Sequence, residues 1–238
     1  MRRENILGFD IVVPDSVADW DAVRGPDSPW ERERIKSMLS ILRRGDVLYD
    51  IGAEHGWMSV IFGLHVGGEN MVLVEPSQDF WPNIKMGWDE NGLHMPLATA
   101  QAFAGDASEG DIYVRSWTPF IDGPECPAMA YRHPNNHADS IKTVSIDQLS
   151  LATGKPPKGI TIDVEGAELG VLKGAERTLV GDRPNVWVSV HEDLMIRDFG
   201  TTPQELVSYM EGLNFRLYNL GYDHEQHMYF QPAEWRPR

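Results

Sequence analysis

Residues 46–56 read Asp46-Val47-Leu48-Tyr49-Asp50-Ile51-Gly52-Ala53-Glu54-His55-Gly56, and this stretch decides the fold. A short apolar run ends in an acid, Asp50, then passes through a Gly-x-x-x-Gly turn into an apolar helical pattern. Glycine at 52 lets the backbone bend and approach a ligand, because no Cβ stands in the way. The helix that follows offers unpaired N–H groups at its start. The spacing differs from the Gly-x-Gly-x-x-Gly of dinucleotide folds, where a further glycine lets the chain approach a pyrophosphate. Taken alone, the turn also reads as an ordinary βα loop.

Working outward, residues 70–76 (Asn-Met-Val-Leu-Val-Glu-Pro) form an unbroken apolar run that predicts a second buried strand. It ends in Glu75, 19 residues past Gly56. That is near the distance at which α/β nucleotide sites place an acid to accept hydrogen bonds from ribose hydroxyls. A carboxylate suits a vicinal diol because it is acceptor-only and takes both O–H donors. The competing reading makes Glu75 a surface acid capping the next helix. Residues 80–92 predict that helix, closed by Asn91-Gly92 in a left-handed cap. Residues 97–106 predict a third, less regular strand, whose Gly105-Asp106 ending is either a holder of an adenine amino group or a plain turn pair.

A second informative block spans residues 159–172, Gly-Ile-Thr-Ile-Asp-Val-Glu-Gly-Ala-Glu-Leu-Gly-Val-Leu, and continues as Lys173-Gly174-Ala175. Residues 160–162 enter a buried strand, and Asp163 and Glu165 sit where it hands over to a helix. Leu169, Leu172 and Leu179 recur at helical spacing, with Gly181 after the last turn. Two carboxylates at a strand's C-terminal end lie at the crevice where open α/β sheets bind ligands.

These two blocks together resemble the FkbM family of S-adenosylmethionine (SAM)-dependent methyltransferases. Asp50-Ile51-Gly52-Ala53 is similar to its first motif, with Glu54 where the family carries Asn. Ile162-Asp163-Val164-Glu165-Gly166-Ala167-Glu168, followed by Val171-Leu172-Lys173-Gly174-Ala175, is similar to its most diagnostic block, and Trp30-Glu31 to its helix entry. The resemblance covers roughly residues 28–192. It implies SAM as cofactor, with the 52–56 loop facing an amino-acid tail and a ribose. The cofactor-binding candidates are then Asp50, Gly52, Ala53, Glu54, Gly56, Glu75, Pro76, Asp106 and Ala107. The implied fold is Rossmann-like and of class I methyltransferase type, reversed in its last strand.

The composition of the 238-residue chain fits one sizeable domain spanning 1–238. Hydrophobic residues at 42% and charged residues at 24% are ordinary for a globular protein. A net charge of −15 argues against sequence-independent nucleic-acid binding and against docking on an anionic membrane. The lone Cys126, flanked by prolines, excludes an intrachain disulfide and reads as a bystander. With no long apolar run and no signal-like N-terminus, the expected location is cytoplasmic.

Ser28-Pro29-Trp30-Glu31 reads as a capping box opening an N-terminal helix over 28–45, with Ile35, Met38, Leu39 and Leu42 as its buried stripe and Arg43-Arg44-Gly45 at its end. Thr202-Pro203-Gln204-Glu205 repeats the device ahead of Leu206, Tyr209, Met210 and Leu213. Residues 185–190 predict another apolar strand, and 215–220 with 228–231 a terminal antiparallel hairpin. Strands alternating with helices predict an α/β, doubly wound, mainly parallel sheet with an antiparallel C-terminal pair. Residues 107–141 break the pattern and read as an insertion or lid, with one candidate strand over 112–117. Its Trp117, Phe120, Tyr131, His133 and His137 either offer flat faces to a sugar-like acceptor or staple the excursion down. Pro134 argues against a helical zinc pair at His133 and His137.

Methyl transfer needs an in-line nucleophile, close approach and relief of the acceptor's proton. The catalytic candidates are Asp163, Glu165 and His191. A divalent metal, Mg²⁺, held by Asp163, Glu192 and Asp193 is a further expectation. The reading these residues favour is O-methyl transfer to a small hydroxylated acceptor such as a sugar. The alternatives are a nicotinamide-dependent oxidoreductase, which Glu75 would serve equally, and a binding module that keeps the fold without the chemistry.

Overall fold

The computed structural model describes residues 1–13, 15, 31–106 and 143–233. Residues 28–30, Ala107, Cys126 and the insertion with its 112–117 strand and its aromatic and histidine candidates lie outside the described residues.

The chain opens with a hairpin that the sequence reading missed, β1 (Arg2–Ile6) with β2 (Phe9–Val13). Helix α1 (Arg32–Ile41) leads to β3 (Leu48–Ile51), and α2 (Trp57–Val66) to β4 (Met71–Val74). Then come α3 (Trp81–Glu90), β5 (Ala98–Ala100) and β6 (Phe103–Ala104). The predicted third strand is thus split in two: β6 leaves the main sheet to pair with β7 (Thr143–Val144). Helix α4 (Ile146–Thr153) precedes β8 (Gly159–Ile162), α5 (Glu168–Lys173) and α6 (Glu176–Gly181). Strand β9 (Asn185–Val190), α7 (Pro203–Gly212), β10 (Phe215–Tyr222) and β11 (Gln226–Pro232) complete the order.

The main sheet runs β10-β11-β9-β8-β3-β4-β5. Strands β9, β8, β3, β4 and β5 are parallel, and β11 and β10 are antiparallel. The doubly wound α/β architecture and the reversed C-terminal pair are both as expected. Side chains alternate cleanly between the two faces. Tyr49, Ile51, Val72, Val74, Ile160, Ile162, Val186 and Val188 pack under α4 to α7. Leu48, Met71, Leu73 and Trp187 pack under α1 to α3 and β2. Both faces being covered explains why the strands read as unbroken apolar runs. Consecutive strands depart in opposite directions from the β3–β8 seam, so the crevice at their C-terminal tips is the switch point where such sheets take ligands.

Two local readings need correction. Glu31 does not cap α1 with its side chain, which is bound instead to Arg34. The helix over 168–181 is two helices broken at Gly174, where a Cβ would lie 1.9 Å from the Gly105 carbonyl oxygen. The left-handed cap expected at Asn91-Gly92 forms, with Gly92 at φ 65, and the Asn91 amide exchanges two 2.8 Å bonds with the backbone of Val12. The Thr202–Glu205 capping box forms as read, with reciprocal bonds of 3.2 and 2.8 Å. An equivalent box at Ser145 and Gln148 opens α4.

Candidate active site

The β3–α2 turn is shaped by close approach to β8. Gly52 has φ 89, and a Cβ on it would lie 1.8 Å from the Asp163 carbonyl oxygen, so no other residue fits. Glu54 takes φ 47, a left-handed conformation that Asn tolerates better than Glu. This turns its backbone N–H onto Glu75 Oε2 at 2.9 Å. The contact is made by main chain, so it survives the change of side chain at 54. Gly56 (φ 77) closes the turn against Ile84. Asp50 stays behind the turn, buried, with Ser59 Oγ donating to its Oδ2 at 2.6 Å. Burial raises its carboxyl to about 6, against the opposing bond from Ser59 and the charge of Arg34.

Glu75 stands just past β4. Its Oε1 accepts from Ser77 N at 2.7 Å and its Oε2 from Glu54 N, which leaves acceptor capacity on both oxygens. It is only 5% exposed, and burial pushes its pKa up to about 7 although the two N–H donors pull the other way.

Asp163 and Glu165 follow β8. Gly166 (φ 100) packs under Leu194, and Glu165 itself holds φ 53. Behind them lies a buried group of charges. Arg34 reaches Glu31 Oε2 at 2.5 Å, Ser189 Oγ at 2.6 Å and Asp163 Oδ2 at 3.1 Å. Burial works against its guanidinium, yet Glu31 and Asp163 keep it cationic. His191, at the end of β9, sets Nδ1 2.8 Å from Glu168 Oε1. Its Nε2 lies 3.7 Å from both Asp163 Oδ1 and Glu165 Oε2 and is ion-paired with Glu225. Burial opposes the charged ring, but the bonds to Glu168 and Glu225 and the charge of Asp163 overcome it and carry the pKa up to about 11. From the β10–β11 turn, Asp223 Oδ1 meets His227 Nε2 at 3.0 Å and His224 Nδ1 at 2.7 Å. Burial raises the Glu165 carboxyl as well, with His191 opposing.

One cleft of about 560 Å³ joins the two regions. Gly52, Ala53, Glu54, Glu75, Pro76 and Asp106 line it together with Asp163 and Glu165. That volume falls within the ordinary range for small-molecule sites. Asp50 and Gly56 support the turn from outside the lining, and His191 sits against Asp163 and Glu165. The expected metal trio does not assemble. Glu192 and Asp193 are exposed, and among the described residues the ligand-type groups that gather with Asp163 are His191 and Glu225.

Sequence reasoning missed Arg34, Glu168, Glu225, Asp223 and His227. Two signals were available. Arg34 occupies a stripe position one turn before Met38, a charge on an apolar face. Asp223-His224-Glu225-Gln226-His227 packs four titratable groups into one hairpin turn.

The family model described as "Methyltransferase FkbM domain" matches residues 50–217. The hexuronic acid methyltransferase AglP of Haloferax volcanii is 29% identical over 152 residues, 63% of this chain and 58% of that protein. The fold is also similar to a crystal structure of a methyltransferase FkbM from Methylobacillus flagellatus (TM-score 0.50, 18% identity, 80% of this chain and 45% of that one). A third likeness is to the Streptococcus mutans protein SMU.1697c, solved in complex with SAH (TM-score 0.52, 7% identity, 85% and 97%). The chain therefore spans little more than half the length of AglP and less than half of the Methylobacillus protein.

Proposed function

We propose that this chain, which belongs to the FkbM methyltransferase family, carries a methyl group from SAM to an oxygen of a small sugar-like acceptor. The observation that carries this reading is one cleft lined both by Glu75, a carboxylate suited to accept a ribose diol, and by the Asp163–Glu165 pair.

The residues fit the donor. Glu75 is pinned by two backbone N–H groups and keeps one acceptor position on each oxygen for the two ribose hydroxyls. Gly52 keeps the first turn free of a Cβ where the methionine tail passes. Pro76 and Asp106 line the same cleft and are assigned to the adenine, and Ala107 belongs to the same set by sequence alone. SAM supplies an electrophilic methyl group. The chain's part is to hold the acceptor oxygen in line and to take its proton. Asp163 and Glu165 face the cleft and are the groups proposed to receive it. His191, held cationic, steadies the two carboxylates instead of acting as the base in the free protein. General-base help of this kind is worth ~10²–10⁴-fold.

The name of the AglP relative points to a uronic sugar as the first acceptor class to try. With the family assigned, the nicotinamide reading loses its ground, since Glu75 was its main support. The test is calorimetry with SAM and S-adenosylhomocysteine, followed by transfer of labelled methyl to a panel of neutral and uronic glycosides. Binding of both nucleosides with transfer to a sugar oxygen is expected. No binding of either at millimolar concentration overturns the reading. Binding without transfer to any acceptor favours the non-catalytic module.

A further inference from the structure

Behind the cleft-lining Asp163 and Glu165, carboxyl groups outnumber cations. Glu31, Asp163, Glu165, Glu168, Asp223 and Glu225 surround one guanidinium, Arg34, and three imidazoles, His191, His224 and His227. With every carboxyl ionised and every ring protonated, six negative charges face four positive ones. Buried members of such a group, here Glu31, Glu168 and Glu225, are held by pairing or by metal coordination.

The atoms converge in a particular way. Around His191 Nε2 stand three carboxylate oxygens from three separate positions: Asp163 Oδ1 after β8, Glu165 Oε2 two residues on, and Glu225 Oε2 from the β10–β11 turn. A single N–H can serve one of them. Asp163, His191 and Glu225 offer one ligand atom each within 4.8 Å of one another. A second observation points the same way. Glu225 is 5% exposed, and its buried Oε2 is aimed into this group, where among the described residues the His191 ring is the partner it meets. The other ring nitrogen, Nδ1, is anchored on Glu168, the outer-shell contact that fixes a ligating imidazole.

We propose that Asp163 Oδ1, Glu225 Oε2 and His191 Nε2, whose proton is released to solvent as the ion binds, are three ligands of a first-row divalent cation of the manganese class beside the cleft. The mixed donor set decides the class. Mg²⁺ and Ca²⁺ favour oxygen-only shells, while one imidazole with carboxylates suits Mn²⁺ and its neighbours. Glu165 completes the rim on the cleft side, and positions facing the cleft stay open for acceptor oxygens. An ion there polarises an acceptor hydroxyl and eases loss of its proton. That role, though not the site, rests on the acceptor reading given above.

The test uses the full chain stripped with a chelator and titrated with Mn²⁺ alone, free ion being followed by electron paramagnetic resonance. Saturable uptake of about one ion per chain is expected. Glu225→Gln and His191→Ala should each lose it, and the Glu192→Gln/Asp193→Asn double variant should bind as the parent does. Ring-nitrogen NMR of the parent protein needs no variant: substoichiometric Mn²⁺ should broaden His191 and leave His65, bonded to the Leu42 carbonyl, sharp. No saturable uptake, uptake unchanged in both ligand variants, or a His191 signal that stays sharp would each overturn the proposal. S-adenosylhomocysteine binding by the stripped protein is measured separately, so loss of the metal site and loss of the donor site are told apart.

Discussion

Replacing Glu75 by Gln removes one of two carboxylate oxygens while leaving volume almost unchanged. In the parent protein each oxygen already accepts one backbone N–H, at 2.7 and 2.9 Å, and has room for one more donor. Glutamine keeps a single acceptor oxygen, and its amide N–H₂ must face either Ser77 N or Glu54 N. One charge-assisted bond to the ribose is therefore lost, at about 1.5–3 kcal/mol, together with part of a backbone contact. The expected loss in donor affinity is about 2–3 kcal/mol, or ~30–150-fold. The raised pKa adds a second signature. With the free carboxyl at about 7, roughly a tenth of it is ionised at pH 6 and nine tenths at pH 8. The hydroxyl donors need the ionised form, so parent affinity should rise about tenfold over that window. The sign for the unliganded fold is opposite. A folded pKa above the ordinary 4.5 means apo stability falls as pH climbs from 4.5 to about 7. Calorimetric titration with S-adenosylhomocysteine at pH 6, 7 and 8 measures both effects. Asp50, raised to about 6, contributes a residual slope at the acid end that the Glu75→Gln variant should retain. An affinity in that variant within about threefold of the parent, or a flat parent profile between pH 6 and 8, would refute the assignment of the diol to this carboxylate.

Further substitutions test the frame around the cleft. Gly52→Ala forces a Cβ to within 1.8 Å of the Asp163 carbonyl at a positive φ, and should cost about 3 kcal/mol or more in urea unfolding while abolishing donor binding. Glu54→Asn relieves a left-handed glutamate without touching the N–H bond to Glu75. It should raise stability by roughly 0.5–1 kcal/mol with donor affinity preserved, and weaker binding would mean the side chain itself contributes. Arg34→Met leaves the buried Glu31 and the partly exposed Asp163 without their cation and should cost about 3–5 kcal/mol in the same unfolding assay; a smaller loss would mean that the histidines take over its charge.

The parts of this molecule that were legible in its sequence are those fixed by neighbours along the chain. Both glycine turns, the acids at 50, 75 and 163, the Thr202 cap and the strand at 185–190 each carry a local signal of residue type and spacing. What stayed hidden depends on sheet order. Glu225 reaches His191 because β11 inserts between β9 and β10 and carries the turn at 223–227 to the tip of β9. That is a property of topology, invisible to periodicity. The ligand set Asp163, Glu192 and Asp193 does not form, for a local reason: the short helical turn at Glu192–Leu194 leaves both of its later acids in solvent. Gly174 looked like a residue inside one helix because the Gly105 backbone that displaces it lies far away along the chain. The β1–β2 hairpin and α4 were missed although the Ser145–Gln148 cap was there to be read.

The contact between Gly52 and the Asp163 carbonyl has a mechanical meaning. It ties the β3–α2 turn to the end of β8, so these two stretches of the cleft wall move as one body, and any widening of the cleft has to be taken up elsewhere in its lining.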